Sequence, residues 1–380
     1  MRVLDVKYIT SKEDRTLWCE KDNHILYERY LEFNEWFDGD EGIDTRAGYG
    51  IADLSQPSKA LFAGDFGAYN NELTSFRNSV KQEILSKEFI EELTGDDHWY
   101  IRNVKRFEQL IGRIMDGETV PFVGAGISSQ IGFPTWKQHL IEQGKTSGIN
   151  ATHVTKLLND GQYEKLIEEI EDKGYRDAFL REIKDIFSEK LEPNETYKLI
   201  TDLFPTKVLT TNYDQTLEQA YNTFKSSKIQ IIESSNILEN LDYTRTTVIK
   251  LHGDINHPPK CIISKKQYED AYGFENLDFS KPIPMLLKFY FETKSLLFLG
   301  CSLNRDLTME VFKVAKDENP DEVFSHFSFE AMPETKEELE DRNNYLAGIG
   351  ISAIWYPKGR YEYIEQILRL VLNELRYRGN

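Results

Sequence analysis

Cysteine is scarce in this chain of 380 residues. Only Cys19, Cys261 and Cys301 occur, and no two of them form a C-x-x-C pair. An odd and widely spaced set of this kind supports neither a disulfide framework nor a structural zinc site, which takes four ligands. We therefore predict a protein of a reducing compartment that contains no metal.

Long apolar runs are lacking as well. No stretch approaches the roughly 20 apolar residues that a membrane-spanning helix requires. The first residues, MRVLD, do not show the cationic start and apolar run of a signal peptide. We therefore expect a cytoplasmic protein that makes no membrane contact.

Positive charge is in short supply. The chain has 46 lysines and arginines against 64 aspartates and glutamates, a formal net charge of −18. An acidic surface lacks the lysines and arginines that neutralise phosphates and release their counterions. We therefore expect no direct nucleic-acid binding except through a basic partner.

Hydrophobic residues make up 40% of the chain, enough for a core. The length predicts one large α/β domain with an appended domain or insertion.

A glycine-rich stretch from Val120 to Trp136, VPFVGAGISSQIGFPTW, is the most informative segment. A short apolar run breaks at Gly124 and Gly126, and Ser128 lies where a helix could begin. A buried strand, a glycine turn and a helix start form the phosphate site of doubly wound folds, because the turn lets the backbone approach a pyrophosphate closely. The pattern predicts dinucleotide binding; the alternative is an ordinary tight turn between a strand and a helix.

Three later apolar runs end in small or polar residues. They read KVLTTNYDQTLE from Lys207, TTVIKLHG from Thr246 and LLFLGCS from Leu296. Polar groups at the carboxyl ends of parallel strands line one crevice, so residues far apart in sequence are expected to converge on one ligand. The residues delivered in this way are Asn212, Asp214, His252, Gly300, Cys301 and Ser302.

The regions on either side of residue 105 differ in pattern. From residue 106 onward, strands alternate with helices, which predicts a Rossmann-like parallel sheet, and residues from about 137 to 196 form a helical lobe inserted over the crevice. Residues 1–105 form an N-terminal extension that looks rich in loops, apart from a helix over Ser75 to Leu93. It is expected either to cap a sheet edge or to mediate oligomerisation or partner contacts, since it contains aromatic types that anchor interfaces. These aromatic residues are Trp18, Tyr27, Tyr30, Phe33, Trp36 and Phe37.

The motifs GAGxS, GxP, TxNxD, HG and GxS, in this order, resemble the sirtuin family over roughly residues 106 to 330. The resemblance implies that the ligand is NAD. It implies that Asn212 holds a water or a ribose hydroxyl at the reactive carbon and that His252 is the general base. The residues that it places around the dinucleotide are Gly124, Ala125, Gly126, Ser128, Pro134, Trp136, Asp214, Gly300 and Ser302.

Each candidate residue also has a purely structural interpretation. Asn212 could bond its own turn, and Asp214 could cap the helix that follows it. His252 could be a buried histidine whose hydrogen bonds are satisfied within the core. Cys301 could be a small packing residue.

Two features depart from the sirtuin deacylases. Their glycine-proline turn continues as Asp-Phe-Arg, whereas Pro134 is followed here by Thr135, Trp136 and Lys137, and their four-cysteine zinc module is absent. What remains resembles the sirtuin-like NAD hydrolases of bacterial antiphage defence, of the short type that works with a HerA-like ATPase. This resemblance implies cleavage of NAD to nicotinamide and ADP-ribose, a homo-oligomer, and a HerA-type hexameric ATPase partner. The alternatives are an NAD- or ADP-ribose-sensing scaffold subunit without turnover and an NAD-dependent protein deacylase.

Overall fold

The computed structural model describes residues 21–233, 245–274, 276–304, 307–319 and 325–379. These residues group into two compact units, one formed by residues 21–104 with 369–379 and the other by residues 105–368. Trp18 and Cys19 lie outside the described residues. Within the described part of the chain, no helix is both long and apolar enough to cross a membrane.

The described chain contains seven strands and nineteen α-helices. The strands are β1 (Thr119–Val123), β2 (Lys207–Thr210), β3 (Ile229–Glu233), β4 (Thr246–Lys250), β5 (Ser295–Leu299), β6 (His326–Ala331) and β7 (Ile351–Tyr356). The helices up to the first strand are α1 (Lys21–Glu28), α2 (Leu31–Asp38), α3 (Ile43–Ala47), α4 (Pro57–Gly64), α5 (Phe66–Ile84), α6 (Lys87–Thr94) and α7 (His98–Met115). Those that follow are α8 (Ala125–Ser128), α9 (Trp136–Thr146), α10 (Ala151–Asn159), α11 (Tyr163–Ile170), α12 (Arg176–Phe187), α13 (Glu195–Leu203), α14 (Thr216–Lys225), α15 (Lys265–Tyr272), α16 (Pro282–Thr293), α17 (Leu307–Glu318), α18 (Lys336–Gly348) and α19 (Glu362–Tyr377).

The sheet of the larger unit confirms the predicted α/β fold. Its seven strands are all parallel and lie in the order β3-β4-β2-β1-β5-β6-β7. Most of these strands are buried along nearly their whole length, because helices cover both faces of a parallel sheet. β1 lies at the centre, where Phe122 pairs with Leu209 on one side and with Phe298 on the other. The carboxyl ends of all the strands therefore meet at one edge.

The segment predicted to form a helical lobe contains α9 to α12, with a π-helical turn over Glu171–Tyr175. The apolar sides of these helices pack against each other in a hydrophobic cluster that also contains Tyr213, Ile255, Cys261 and Ile263 from the segments after β2 and β4. Its buried members include Leu140, Val154, Leu157, Leu166, Phe179 and Ile183. These helices thus share a core with the segments that follow β2 and β4.

The smaller unit is helical, so the expectation of a loop-rich segment was wrong. Its short helices pack around buried aromatic side chains, among them Phe33, Phe37 and Tyr69. The single helix predicted over Ser75 to Leu93 is also two helices, because the chain turns at Ser86, whose backbone is left-handed with φ of 61°. Apolar residues recur on both sides of this break, and the spacing alone therefore hid it.

Candidate functional site

A cleft of about 500 Å³ lies at the carboxyl edge of the sheet, within the larger unit. The ends of the central strands, the loop after β5 and the helical lobe all contribute to its walls. Every residue that the sequence predicts for the site lines this cleft, although the roles assigned to them stay predictions. These residues are Gly124, Ala125, Gly126, Ser128, Pro134, Trp136, Asn212, Asp214, His252, Gly300 and Ser302.

The glycines of the first turn interlock with the turn after β5. A Cβ atom on Gly126 would lie 2.8 Å from the Gly300 carbonyl oxygen, and one on Gly124 would lie 2.6 Å from the same atom. Gly300 itself has φ of 64°, and its own Cβ would lie 2.6 Å from the Ile127 amide. Glycine is needed here because two backbones touch, a reason that the sequence pattern does not contain.

The helix expected after this turn is a single turn, α8, followed by a 3-10 turn over Ser129–Ile131. The amide of Gly126 donates to the Gly300 carbonyl at 2.9 Å, and that of Gly124 donates to the Leu299 carbonyl at 2.9 Å. Both amides are therefore engaged by β5 and its turn. Neither amide is therefore free to donate to a phosphate group.

Ser128 is the centre of a buried hydrogen-bond cluster. Its hydroxyl donates to Asp214 Oδ2 at 2.8 Å and accepts from Asn212 Nδ2 at 3.0 Å. Because the Ser128 hydrogen goes to the carboxylate, the Tyr197 hydroxyl 3.0 Å away is the donor of that third bond. The GAGxS and TxNxD motifs thus meet at one hydroxyl group.

The turn that carries Asn212 and Asp214 shows features of both interpretations given for it. The backbone amide of Asn212 donates to the Thr210 hydroxyl at 3.0 Å, and the backbone amide of Thr216 donates to Asp214 Oδ1 at 3.0 Å. Both residues therefore stabilise the local turn. Their side chains nevertheless also reach Ser128 and line the cleft. The structural and the functional interpretations are therefore compatible.

His252 is buried at the end of β4. Its Nε2 lies 2.9 Å from the Tyr272 hydroxyl, which is itself 3.3 Å from the Thr308 hydroxyl. The Tyr268 ring packs edge-on against the imidazole. Burial lowers the pKa of His252 from the ordinary value of 6.5 to about 4. The imidazole is therefore neutral at physiological pH and a weaker base than an exposed histidine.

The loop after β5 is fixed by Arg342 on α18. Its guanidinium donates to the carbonyls of Ser302 at 2.8 Å and Leu303 at 3.0 Å, and Leu303 has a left-handed backbone with φ of 46°. Arg342 also donates to Oε2 of Glu330, a buried carboxylate that lines the cleft. Burial raises the pKa of Glu330, and Arg342 partly offsets that rise.

Trp136 brings the helical lobe to the cleft. It is the first residue of α9, where Thr135 and Gln138 form a capping box that satisfies the helix N-terminus. The Trp136 ring packs edge-on against Tyr213 and stacks on His139. The Trp136 side chain therefore joins helix α9 of the lobe to the turn after β2.

Several residues that build the site were missed by the sequence argument. Lys250 offered a signal, because a lysine inside a run of apolar and β-branched residues needs buried partners. The others lie on helices distant in sequence and carry no local signature. They are Tyr197, Tyr272 and Arg342.

The chain is similar to known proteins over part of its length. Residues 206–354 match the SIR2-like domain family. The chain is 29% identical over 202 residues to the NAD(+) hydrolase ThsA of Enterococcus faecium, a match that covers 52% of this chain and 39% of that protein. It is 25% identical over 291 residues to the NAD(+) hydrolase ThsA of Bacillus cereus strain MSX-D12, which covers 69% of this chain and 56% of that protein. The chain thus spans about half the length of these relatives or less.

Proposed function

We propose that this protein hydrolyses the nicotinamide–ribose bond of NAD, with water as the second substrate and nicotinamide, ADP-ribose and a proton as products. The observation that carries the proposal is the convergence of Ser128, Asn212, Asp214 and His252 on one cleft. Relatives that match part of this chain are named NAD(+) hydrolases, which supports the same reaction here.

The chemistry of the reaction fits the residues present. The nicotinamide ring is positively charged in NAD and becomes neutral when it leaves, so the bond to the ribose breaks without a strong acid. Positive charge then develops on the ribose, where the carboxylate of Asp214 would stabilise it. A neutral His252 can accept the proton of the attacking water. Its lowered pKa makes it a weak base, which is sufficient because a carbocation-like ribose needs little nucleophilic assistance.

Product analysis by chromatography tests the proposal. Asn212→Ala and His252→Ala should each lower the rate of nicotinamide release by about 100-fold, in the range typical of removing a positioned catalytic group. The controls are Asn319→Ala and His257→Ala, which change the same residue types on exposed positions outside the cleft. Full turnover in both cleft variants would refute the site assignment.

The same assay separates hydrolysis from deacylation and from sensing. Acetyl-lysine peptides should not accelerate nicotinamide release, because the sirtuin Asp-Phe-Arg turn and the cysteine quartet are absent. Acceleration by such peptides would instead favour a deacylase. A wild-type protein that binds NAD without cleaving it, alone and with its partner, would favour a sensor.

The biological setting is part of the proposal and rests on the resemblance to short defence proteins. We place the protein in the bacterial cytoplasm as an antiphage NADase that depletes NAD on infection. It would act as a homo-oligomer that is coupled to a HerA-type hexameric ATPase, through which any contact with DNA would be made. Residues 1–105 would supply self-association or partner contacts, and the remaining chain would supply NAD binding.

A further inference from the structure

Lys250 lies fully buried at the end of β4, two residues before His252. Its ammonium group donates to the carbonyl oxygens of Tyr213 at 3.1 Å and Asp214 at 2.6 Å. It also lies 2.8 Å from Asp254 Oδ2 and 3.0 Å from Glu218 Oε1. A single charged group therefore joins the turn after β2, the turn after β4 and helix α14.

The two turns joined in this way carry the candidate catalytic residues. Asn212 and Asp214 belong to the turn after β2, and His252 begins the turn after β4. One further bond links them, since the Ile255 amide donates to the Tyr213 carbonyl at 3.1 Å. If Lys250 were absent, the carbonyls of residues 213 and 214 would lose their only shared donor among the described contacts.

A buried ion pair such as that of Lys250 is weak evidence of a stabilising role. Removing a charge from water is costly, and well-packed apolar residues in place of a buried ion pair are often as stable or more stable. Burial by itself lowers the pKa of Lys250, but Glu218 and Asp254 outweigh that effect, so the net pKa is raised and the ammonium stays charged. Burial raises the pKa of Glu218, and Lys250 opposes that rise only in part. The cost of this cluster calls for a function other than stability.

We infer that Lys250 is a positioning residue, which holds the Asn212–Asp214 turn against the His252–Asp254 turn in the geometry needed to cleave NAD. The inference rests on the proposed hydrolysis of NAD. It differs from a stabilising role because it concerns the placement of two turns relative to each other. The ammonium need not touch the dinucleotide.

The best test is the double substitution Lys250→Met with Glu218→Gln. Lys250→Met alone would leave two buried carboxylates without a cation and could unfold the protein. The double variant removes one positive and one negative charge, so the formal charge of the cluster is unchanged. Of the two carboxylates only Asp254 then lacks a cation, and it keeps the hydrogen bond from the Asn256 amide at 2.8 Å. Tyr221→Phe is the matched control, because it removes a buried hydrogen bond to the Phe204 carbonyl from the same helix and does not touch the cleft.

Two measurements report on the position of the turns. Amide hydrogen exchange should accelerate at residues 212–216 and 253–256 in the double variant and stay unchanged in β1. The kcat for NAD cleavage should fall by about 100-fold, the loss expected when reacting groups are displaced by about 1 Å. The affinity for ADP-ribose, measured by calorimetry, should change little. Tyr221→Phe should lower the thermal unfolding midpoint while keeping kcat and the exchange of both turns.

Other outcomes would overturn the inference. A folded double variant with wild-type kcat and wild-type exchange would show that Lys250 does not position the turns. If ADP-ribose affinity and the thermal unfolding midpoint fell together with kcat, Lys250 would support only the core. If the wild-type protein did not cleave NAD, the proposed function would fail, but hydrogen exchange would still decide whether Lys250 orders these turns.

Discussion

Gly126 shows how much of the cleft depends on the absence of one side chain. Because its Cβ would lie within 3 Å of two backbone atoms of Gly300, Gly126→Ala must push the turn after β5 away. We expect it to lower the free energy of unfolding by about 1–3 kcal/mol and to reduce NAD cleavage. Denaturant titration and the product assay would measure the two effects.

Gly112 supplies the matched control for this change. It lies inside α7, and a Cβ there would meet nothing within 4 Å. Gly112→Ala should therefore stabilise the protein by about 0.5–1 kcal/mol, because alanine loses less backbone entropy on forming a helix. If Gly126→Ala behaved like Gly112→Ala, the interlocked turns would not be a constraint.

Sequence reasoning located the cleft residues but not their partners. Asn212, Asp214 and His252 were identified because they follow apolar strands, and parallel strands end at one edge. Their hydrogen-bond partners could not be identified in this way. Tyr197 and Tyr272 lie on helices, where a tyrosine on the buried side resembles any other core residue until the packing of that helix is known.

His139 gives a prediction about pH. Its imidazole is stacked between Trp136 and Phe179, and its Nε2 has no hydrogen-bond partner among the described residues. Burial lowers its pKa to about 4, with Glu182 opposing the change. Between pH 6.5 and 4 the unfolded chain therefore binds a proton that the folded protein does not, and stability falls as the pH falls. At pH 5 the cost reaches about 2 kcal/mol.

The variant His139→Phe should remove this cost. It keeps an aromatic ring in the stack and introduces no group that can be protonated. Its gain in the free energy of unfolding should be larger at pH 5 than at pH 7.5, as measured by denaturant titration at both values. An equal gain at the two pH values would contradict the assignment of acid sensitivity to this histidine.

At the scale of elements, the loop after β5 depends on α18 through Arg342. Arg342→Met removes the donors to Ser302 and Leu303 and leaves the Glu330 carboxylate buried without its cation. The free energy of unfolding should fall by about 3–5 kcal/mol. The KM for NAD should rise by about tenfold, which corresponds to the loss of one hydrogen bond from a charged donor.

A second variant separates these two effects. In Arg342→Met with Glu330→Gln, the unpaired charge is gone, so most of the stability should return. The loop still lacks its donors, so the KM for NAD should stay raised. The exposed ion pair of Lys358 and Glu334 is a control, since Lys358→Met should change neither quantity appreciably. A KM that recovered together with stability would show that the loop needs no clamp.

The strands that are buried along nearly their whole length could be predicted from the sequence. β1, β2, β4 and β5 are almost wholly buried and consist mainly of apolar and β-branched residues, as expected of a parallel sheet covered on both faces. β3 was missed because Ile229–Glu233 lies at the sheet edge, is only partly buried and mixes polar with apolar residues. The shortness of α8 was also not predicted: the helix ends in the 3-10 turn over Ser129–Ile131, and Gly132 follows with a left-handed backbone, φ of 118°.

At the scale of the whole molecule, the smaller unit uses its aromatic residues internally. Phe33 and Phe37 are fully buried, and the Trp36 ring packs 4.9 Å from that of Phe76. The aromatic content that suggested interface anchors therefore builds a core. Tyr30 and Trp36 pack against this core as well, so replacing both by alanine would perturb the core and would not isolate an interface. The proposal that this unit mediates self-association must rest on its exposed apolar side chains.

Ile43 and Phe66 are two such side chains, 49% and 46% exposed. If the unit mediates self-association, Ile43→Ser with Phe66→Ser should lower the particle mass measured by light scattering, because apolar side chains carry much of the energy of an interface core. ADP-ribose affinity should stay unchanged, since both residues lie outside the unit that contains the cleft. The control is Phe274→Ser in the larger unit, where the side chain is 77% exposed. A particle mass that fell only in the Phe274 variant would move the association surface to the larger unit.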